Sequence, residues 1–355
     1  MKKKRILMLA TTPFMNDGLT KIEMDVYEYN KSHIEFEFAS SFGFDNEYGS
    51  RLKSEGVKCR LLKKKKNVVM YMLSIMKLIR QQKYDAVYIH GNSAMMFIET
   101  LPTRLGGCKE IITHCHNTST KFPVFHYLFK PIFNLLVDKK IACSKLAAKW
   151  AYFGKNQYVI LNGIQKEKFC FSTNSAMMMK KKLGWENNTV VGHIGRFNYQ
   201  KNHKKIIDVF RKYSEKDATA RLLLIGEGEL KDEIVNYVMK NDLADKVKFI
   251  GTTDNVAGYM CAMDVFLLPS LFEGLGIVLV EAQANGLPIV ISSVCPNEVK
   301  IARNVLECKV SDSDEIWADM LEKAIIIGRN KEDLLDESIW SIDAMMKKIA
   351  DIIVG

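Results

Sequence analysis

Short apolar runs alternate with helix-length amphipathic segments from one end of the chain to the other. That rhythm predicts parallel, doubly wound sheets in which each strand is followed by a covering helix. In the first half the predicted strands are 5–10, 34–39, 86–89, 110–115, 140–142 and 158–161, most of them separated by a helix-sized segment. The pattern restarts at 189–194, 221–225, 247–250, 265–268 and 288–291, so two consecutive Rossmann-like units are the economical reading. Residues 1–165 form the first and 166–337 the second, with the boundary in the polar and Met-rich stretch 163–187. The last segment carries Ile339, Trp340, Ile342, Met345, Met346, Ile349, Ile352 and Ile353 at helical spacing. A helix over 338–355 that packs back on the first unit is predicted.

Composition narrows the class. With 48% hydrophobic and 26% charged residues and only 7 Pro in 355, the chain is neither disordered nor fibrous. No stretch offers about 20 clean apolar residues, because 122–137 is broken by Lys130 and 274–294 by Glu281, so no transmembrane helix is expected. Residues 6–10 are too short for a signal sequence, which predicts a chain that stays in the cytosol. The eight cysteines lack any CxxC pair and read as reduced, mostly buried thiols.

Charge becomes informative once the halves are separated. Residues 1–165 hold 26 Lys and Arg against 13 Asp and Glu, a net of +13, and the remainder has a net of −3. Part of the excess is the run Lys63, Lys64, Lys65 and Lys66, which leads into an apolar segment, 68–80. A second apolar segment, 122–137, interleaves Phe122, Phe125, Tyr127, Leu128, Phe129, Ile132, Phe133 and Leu136 with Lys121 and Lys130. Two readings stand: core helices with solvated ends, or attachment of the basic domain to an anionic membrane surface such as the inner face of the plasma membrane. Nucleic-acid binding is set aside, since no RNP, KH, zinc-finger or helix-turn-helix pattern accompanies the charge.

The densest chemical signal is the sequence from Leu267 through Pro269 and Glu273 to Gly276 and Glu281. A buried strand is predicted to end at Pro269, and a small-residue loop opens a helix near Gly276. The free N–H groups and dipole of that first turn make a phosphate site. Glu281, one to two turns inside, would then reach a ribose hydroxyl, while Glu273 precedes the turn and would accept hydrogen bonds from a sugar. The second signal is Gly192-His193-Ile194-Gly195-Arg196-Phe197-Asn198-Tyr199-Gln200-Lys201-Asn202-His203. It follows the first strand of the second unit, and Arg196 and Lys201 supply a planar fork and a point charge suited to a diphosphate.

With these residues the sequence resembles the retaining nucleotide-sugar glycosyltransferases of the GT-B fold, in the family 4 grouping, near bacterial capsule and exopolysaccharide transferases. The resemblance covers nearly the whole chain, and its most specific part is the Glu-x7-Glu motif at Glu273 and Glu281. It implies two Rossmann-like domains facing across a cleft, with Arg196 and Lys201 on the donor diphosphate. It further implies backbone phosphate contacts at Leu275, Gly276, Ile277 and Val278, a base pocket near Gly226 and Ile250, and donor binding at Gly195 and Gly274. His116, in Thr113-His114-Cys115-His116-Asn117, matches the histidine that touches the donor sugar, and Asn162-Gly163-Ile164 matches a turn near the domain junction. The implied catalytic set is His116, Arg196, Lys201 and Glu273, with no cofactor and no metal. The implied reaction moves a sugar from a nucleoside diphosphate sugar to a hydroxyl of a lipid-linked or free glycan acceptor.

Other features weigh less. The loop after the first strand, often Gly-Gly in relatives, reads Asn16-Asp17-Gly18, and Gly18 keeps a backbone approach to phosphate open. His90 and Asn117 are candidates for the acceptor side, and His114 for a structural place beside them. Asp312-Ser313-Asp314 reads as a helix cap and not a metal motif. Gly226-Glu227-Gly228 lacks the third glycine of a dinucleotide fingerprint. A nucleotide-sugar epimerase and a non-catalytic partner subunit are the rival functions.

Overall fold

The computed structural model describes residues 3–14, 18–63 and 67–355. Asn16, Asp17 and Lys64 to Lys66, all singled out above, lie outside the described residues. The chain forms two compact units, Met1–Asn162 with Ile342–Gly355, and Gly163–Ser341.

Seven parallel strands build the sheet of the first unit: β1 (Lys4–Ala10), β2 (Ile34–Ser40), β3 (Lys58–Leu61), β4 (Ala86–Gly91), β5 (Glu110–Cys115), β6 (Lys139–Ala142) and β7 (Gln157–Val159), in the order β3-β2-β1-β4-β5-β6-β7. Central strands β1 and β4 are apolar without alternation, because helices cover both faces. Strand β3 was not predicted. It pairs only with β2, carries the sequence Lys-Cys-Arg-Leu, and buries none of its residues, so it lacks the apolar run that marks an inner strand. Its Arg60 joins Arg5 and Tyr84 around the buried Glu37 carboxylate at 3.0, 3.0 and 2.8 Å.

The terminal helix Ile342–Val354 contributes Met345, Met346, Ile349 and Ile353 to the core that also holds Ile6, Met8, Ile22 and Val26. Lys139 and Lys4 donate to the carbonyls of Ile352 and Ile353 at 2.6 and 2.7 Å, satisfying acceptors that a helix end leaves open.

Two helices of this unit show apolar side chains to solvent. Val68–Gln82 buries Tyr71, Ile75, Leu78 and Ile79 but exposes Val68, Val69, Met70 and Leu73 near its start. Pro123–Leu136 buries only His126, Phe133 and Asn134. Val124, Tyr127, Leu128 and Leu135 are 62 to 83% exposed. The solvated-core reading therefore fails for most of this second helix. No helix among the described residues is long and apolar enough to cross a membrane.

The second unit has six parallel strands: β8 (Val190–Ile194), β9 (Arg221–Ile225), β10 (Val247–Ile250), β11 (Val265–Leu268), β12 (Ile289–Ser292) and β13 (Val305–Cys308), ordered β10-β9-β8-β11-β12-β13. The unpredicted member is again an edge, β13, paired only with β12. Order reverses between β8 and β11, so their C-terminal loops open side by side, the place where doubly wound sheets bind ligands. Ser313 caps the helix Asp314–Ile327 through Ile316 N, and Asp314 pairs with Lys205 at 2.6 Å, so this Asp-Ser-Asp does the work of a cap.

Candidate functional site

Both chemical signals of the second unit come from those adjoining loops. After β8 the chain passes Gly195 and Arg196, makes one 3₁₀ turn at Tyr199–Lys201, and enters the helix His203–Lys216. After β11 it runs through Pro269 and Glu273 to the helix Ile277–Ala284. Leu271 N donates to Gln200 O at 2.9 Å, and Asn202 Nδ2 to Pro269 O at 3.2 Å, which ties one loop to the other.

Where they meet, Lys201 Nζ lies 2.6 Å from Glu273 Oε1, and Gln200 Nε2 donates to Glu273 Oε2 at 3.1 Å. Glu273 is buried, and burying a carboxylate demands such partners. Gly276 begins the following helix in the left-handed region at φ 79°, and a Cβ there would sit 3.7 Å from Glu273 Oε2. The carboxylate thus stands beside a helix start that no side chain caps. Backbone N–H groups of an uncapped first turn, next to a half-buried lysine, are suited to an anion. Gly274, Leu275 and Val278 of this segment are buried, while Ile277 and Glu281 are half-buried.

Arg196 is exposed and contacts Glu229 Oε2 at 3.3 Å, a surface pair that holds it weakly. Gly195 N donates to Ile225 O and Gly226 N to Ile250 O, each at 3.0 Å, so these residues line up along the strand ends of β8, β9 and β10. At Gly226, φ is 138° and an added Cβ would lie 2.2 Å from Gly195 O, so this strand end has no room for a side chain. Behind the loop, His193 and His203 stand edge to face at 4.8 Å. Burial pushes His193 well below the ordinary imidazole range, with His203 adding to it, and takes His203 to about 3.

The first unit gathers a different group. Register between β4 and β5 sets His90 opposite His114. His116 N donates to Gly91 O at 2.9 Å, which brings its ring back toward His90. His90 Nδ1 is 3.0 Å from His116 Nε2, and Tyr88 Oη is 3.0 Å from His114 Nδ1. One ring nitrogen from each of the three histidines lies within 4.8 Å of the others, close enough to hold a metal ion. Asn117 follows, its Oδ1 accepting from Thr118 N at 2.8 Å. Gly18 opens the helix Gly18–Asn30, with nothing among the described residues within 4 Å of an added Cβ.

Residues 177–334 match the family model "Glycosyl transferases group 1". Over these residues the chain is similar to the group 1 glycosyl transferases. Among similar proteins, EpsF of Bacillus subtilis (strain 168), which carries a glycosyltransferase name, is 28% identical over 358 residues, covering 95% of this chain and 92% of EpsF. The UDP-Gal:alpha-D-GlcNAc-diphosphoundecaprenol alpha-1,3-galactosyltransferase of Escherichia coli is 27% identical over 241 residues, 64% of this chain and 62% of that protein. Anabaena HepE in complex with UDP-glucose superposes with a TM-score of 0.76 at 17% identity, over 99% of each chain. WaaG, a glycosyltransferase involved in lipopolysaccharide biosynthesis, does so at 0.75 and 16%, over 99% and 100%. The fold shared with these structures is GT-B.

In the second unit, sequence reading had assigned no part to Gln200, Glu229, His193 or His203. Gln200 and both histidines belong to the Gly192 to His203 motif, but only packing shows which of them face Glu273 and which lie beneath it. Tyr88 was equally silent, being one aromatic residue in an apolar strand.

Proposed function

We propose that the protein is a retaining glycosyltransferase that moves a sugar from a nucleoside diphosphate sugar to a hydroxyl of a lipid-linked glycan in surface polysaccharide biosynthesis. The observation that carries the reading is the pair of half-buried Lys201 with buried Glu273 beside the uncapped helix start at Gly276. An anionic diphosphate placed there meets a lysine and a row of backbone donors. Glu273 is held by Lys201 and Gln200 at a fixed place for sugar hydroxyls. Arg196, only loosely engaged by Glu229, is free to swing onto the same diphosphate.

In this mechanism the acceptor attacks the face from which the diphosphate departs, and the leaving diphosphate takes the acceptor proton. Arg196, Lys201 and the helix start neutralise charge as it develops, which is electrostatic stabilisation. That neutralisation needs no metal, so activity surviving EDTA supports the reading, and activity that EDTA abolishes and Mg²⁺ restores contradicts it. Half-buried Glu281 takes the ribose, and Gly226 and Ile250 border the base. The Escherichia coli relative named for an undecaprenyl-linked acceptor supports a lipid-linked substrate, and neighbours solved with UDP and UDP-glucose make UDP-sugars the first donors to try. The basic first half and the exposed apolar helix Pro123–Leu136 favour work at an anionic membrane surface.

A thermal-shift panel of UDP, GDP, ADP, TDP and their sugars, without metal, tests the donor site on the wild type and on Glu281→Ala. Bound ligand raises the melting temperature by mass action. A rise with one nucleotide that Glu281→Ala weakens is expected. No rise with any of them would contradict the donor assignment and favour a non-catalytic subunit.

A further inference from the structure

The two oxygens of Glu273 face different partners. Lys201 Nζ stands 2.6 Å from Oε1, and Gln200 Nε2 donates to Oε2 at 3.1 Å. Oε2 is also the oxygen that stands by the helix start, 3.7 Å from where a Cβ of Gly276 would lie. An ammonium has three donors but one charge, and in the resting protein that charge faces a carboxylate only 4% exposed. An anion at the helix start must therefore draw on a cation already engaged. Taking the cation from a buried carboxylate is costly, because the charge left behind is poorly solvated. Gln200 is the partner able to stay. Its amide is neutral, and its main chain is fastened to the loop that carries Glu273, with Leu271 N donating to Gln200 O at 2.9 Å. Asn198 Oδ1 accepts from Lys201 N at 3.1 Å and Asn202 Nδ2 donates to Pro269 O at 3.2 Å, which fixes the 3₁₀ turn on either side of it. The Lys201 stem passes over Gly195, where an added Cβ would lie 3.3 Å from Cδ and Cε, so the missing side chain leaves its outer torsions room to turn.

We propose that Gln200 is a positioning residue that keeps the Glu273 carboxylate in place while Lys201 turns from it to an incoming diphosphate, so that the ion pair is a resting state which the donor opens. That the anion is a diphosphate rests on the transferase reading; the division of labour around Glu273 does not. Gln200 gives Oε2 a charge-assisted hydrogen bond that outlasts the departure of the lysine. Without that bond the carboxylate holds Lys201 harder, and the diphosphate has to separate a buried pair unaided.

Calorimetric titration of the full chain with pyrophosphate and with UDP, without metal, tests this on the wild type, Gln200→Met, Glu273→Gln and the double variant. Glu273→Gln should bind pyrophosphate more tightly than the wild type, because the competitor for Lys201 is gone. Gln200→Met, which has the reach of glutamine but no donor, should bind it about tenfold more weakly, the scale of one hydrogen bond to a charged group. In the Glu273→Gln background the same change should have little effect, since no carboxylate remains to be held. A purely structural part for Gln200, or a direct contact of its amide with the diphosphate, gives equal losses in both backgrounds, and that result would overturn the proposal. So would wild-type affinity in Gln200→Met, or weaker binding by Glu273→Gln. Should Glu273→Gln fail to fold, Gln200→His, which returns a donor at Nε2 and is titrated above the ordinary imidazole range, decides instead. Recovery toward wild-type affinity supports the positioning role, and affinity equal to that of Gln200→Met overturns it. A wild-type protein that binds neither pyrophosphate nor any nucleotide of the panel overturns the donor site itself, whereas one that binds without coupling between positions 200 and 273 overturns only the part of Gln200.

Discussion

Lys201 and Glu273 form an ion pair at 2.6 Å whose side chains are only 14 and 4% exposed, although 72 residues separate them in sequence. Removing one partner of a buried pair strands the other, at a cost of about 3 kcal/mol or more. Lys201→Ala should therefore lower both stability and turnover, the latter by roughly 10² on the scale of a lost transition-state donor. Urea unfolding and initial rates measure the two, and a Lys201→Ala protein with wild-type turnover would remove lysine from the mechanism.

Arg196 predicts the opposite combination. Its contact with Glu229 is on the surface, so Arg196→Ala should leave the unfolding free energy within about 0.5 kcal/mol of wild type. Turnover should still fall by roughly 10². Loss of stability comparable to Lys201→Ala would show that Arg196 has a structural part beyond its contact with Glu229.

Gly226 and Gly18 separate packing from ligand approach. At Gly226 a methyl group would meet Gly195 O at 2.2 Å, at a φ that side chains rarely adopt, so Gly226→Ala should destabilise by about 1–3 kcal/mol. Gly18→Ala meets no described atom within 4 Å and should be nearly neutral, or slightly stabilising as the first residue of a helix. If its backbone approaches a phosphate, Gly18→Ala weakens nucleotide binding alone. Calorimetric titration with UDP beside thermal unfolding reads both effects.

Acid should weaken the fold before most carboxylates titrate. Burial holds His116 and His203 at about 3 and His126 at about 4, with Lys130 also acting on His126, against about 6.5 in the unfolded chain. The unfolded state therefore binds more protons as pH drops below 6.5. The stability these rings contribute is complete above that value and is lost toward their folded-state values. From pH 7 to pH 5 a loss of about 2 kcal/mol or more is expected in urea unfolding. Equal unfolding midpoints at pH 7 and 5 would show that the rings are not held neutral.

Membrane attachment has its own readout. Leu128 and Leu135 are 62 and 83% exposed, so Leu128→Ser with Leu135→Ser should change stability by less than about 0.5 kcal/mol per site. Flotation with anionic vesicles should fall several-fold, since apolar insertion and charge act together. Equal binding of the wild type to neutral and anionic vesicles would contradict the role of charge.

The sequence by itself determined the repeated strand and helix rhythm, the two units, and the loops that carry Arg196, Lys201 and Glu273, with Glu281 in the helix that follows. Buried parallel strands must be apolar on both faces, and strand-to-helix loops need small and polar residues, so these features are written locally. Edge strands β3 and β13 escaped notice because one partner and partial exposure ask little of their residues. Only the tertiary structure decided that Lys201 is engaged by Glu273, that Gln200 joins them, and that His90, His114 and His116 form one group. Those contacts join separate strands through register and loop closure, and the energy that fixes them is spent on burial shared by the whole sheet. No local pattern encodes which polar atom then faces which.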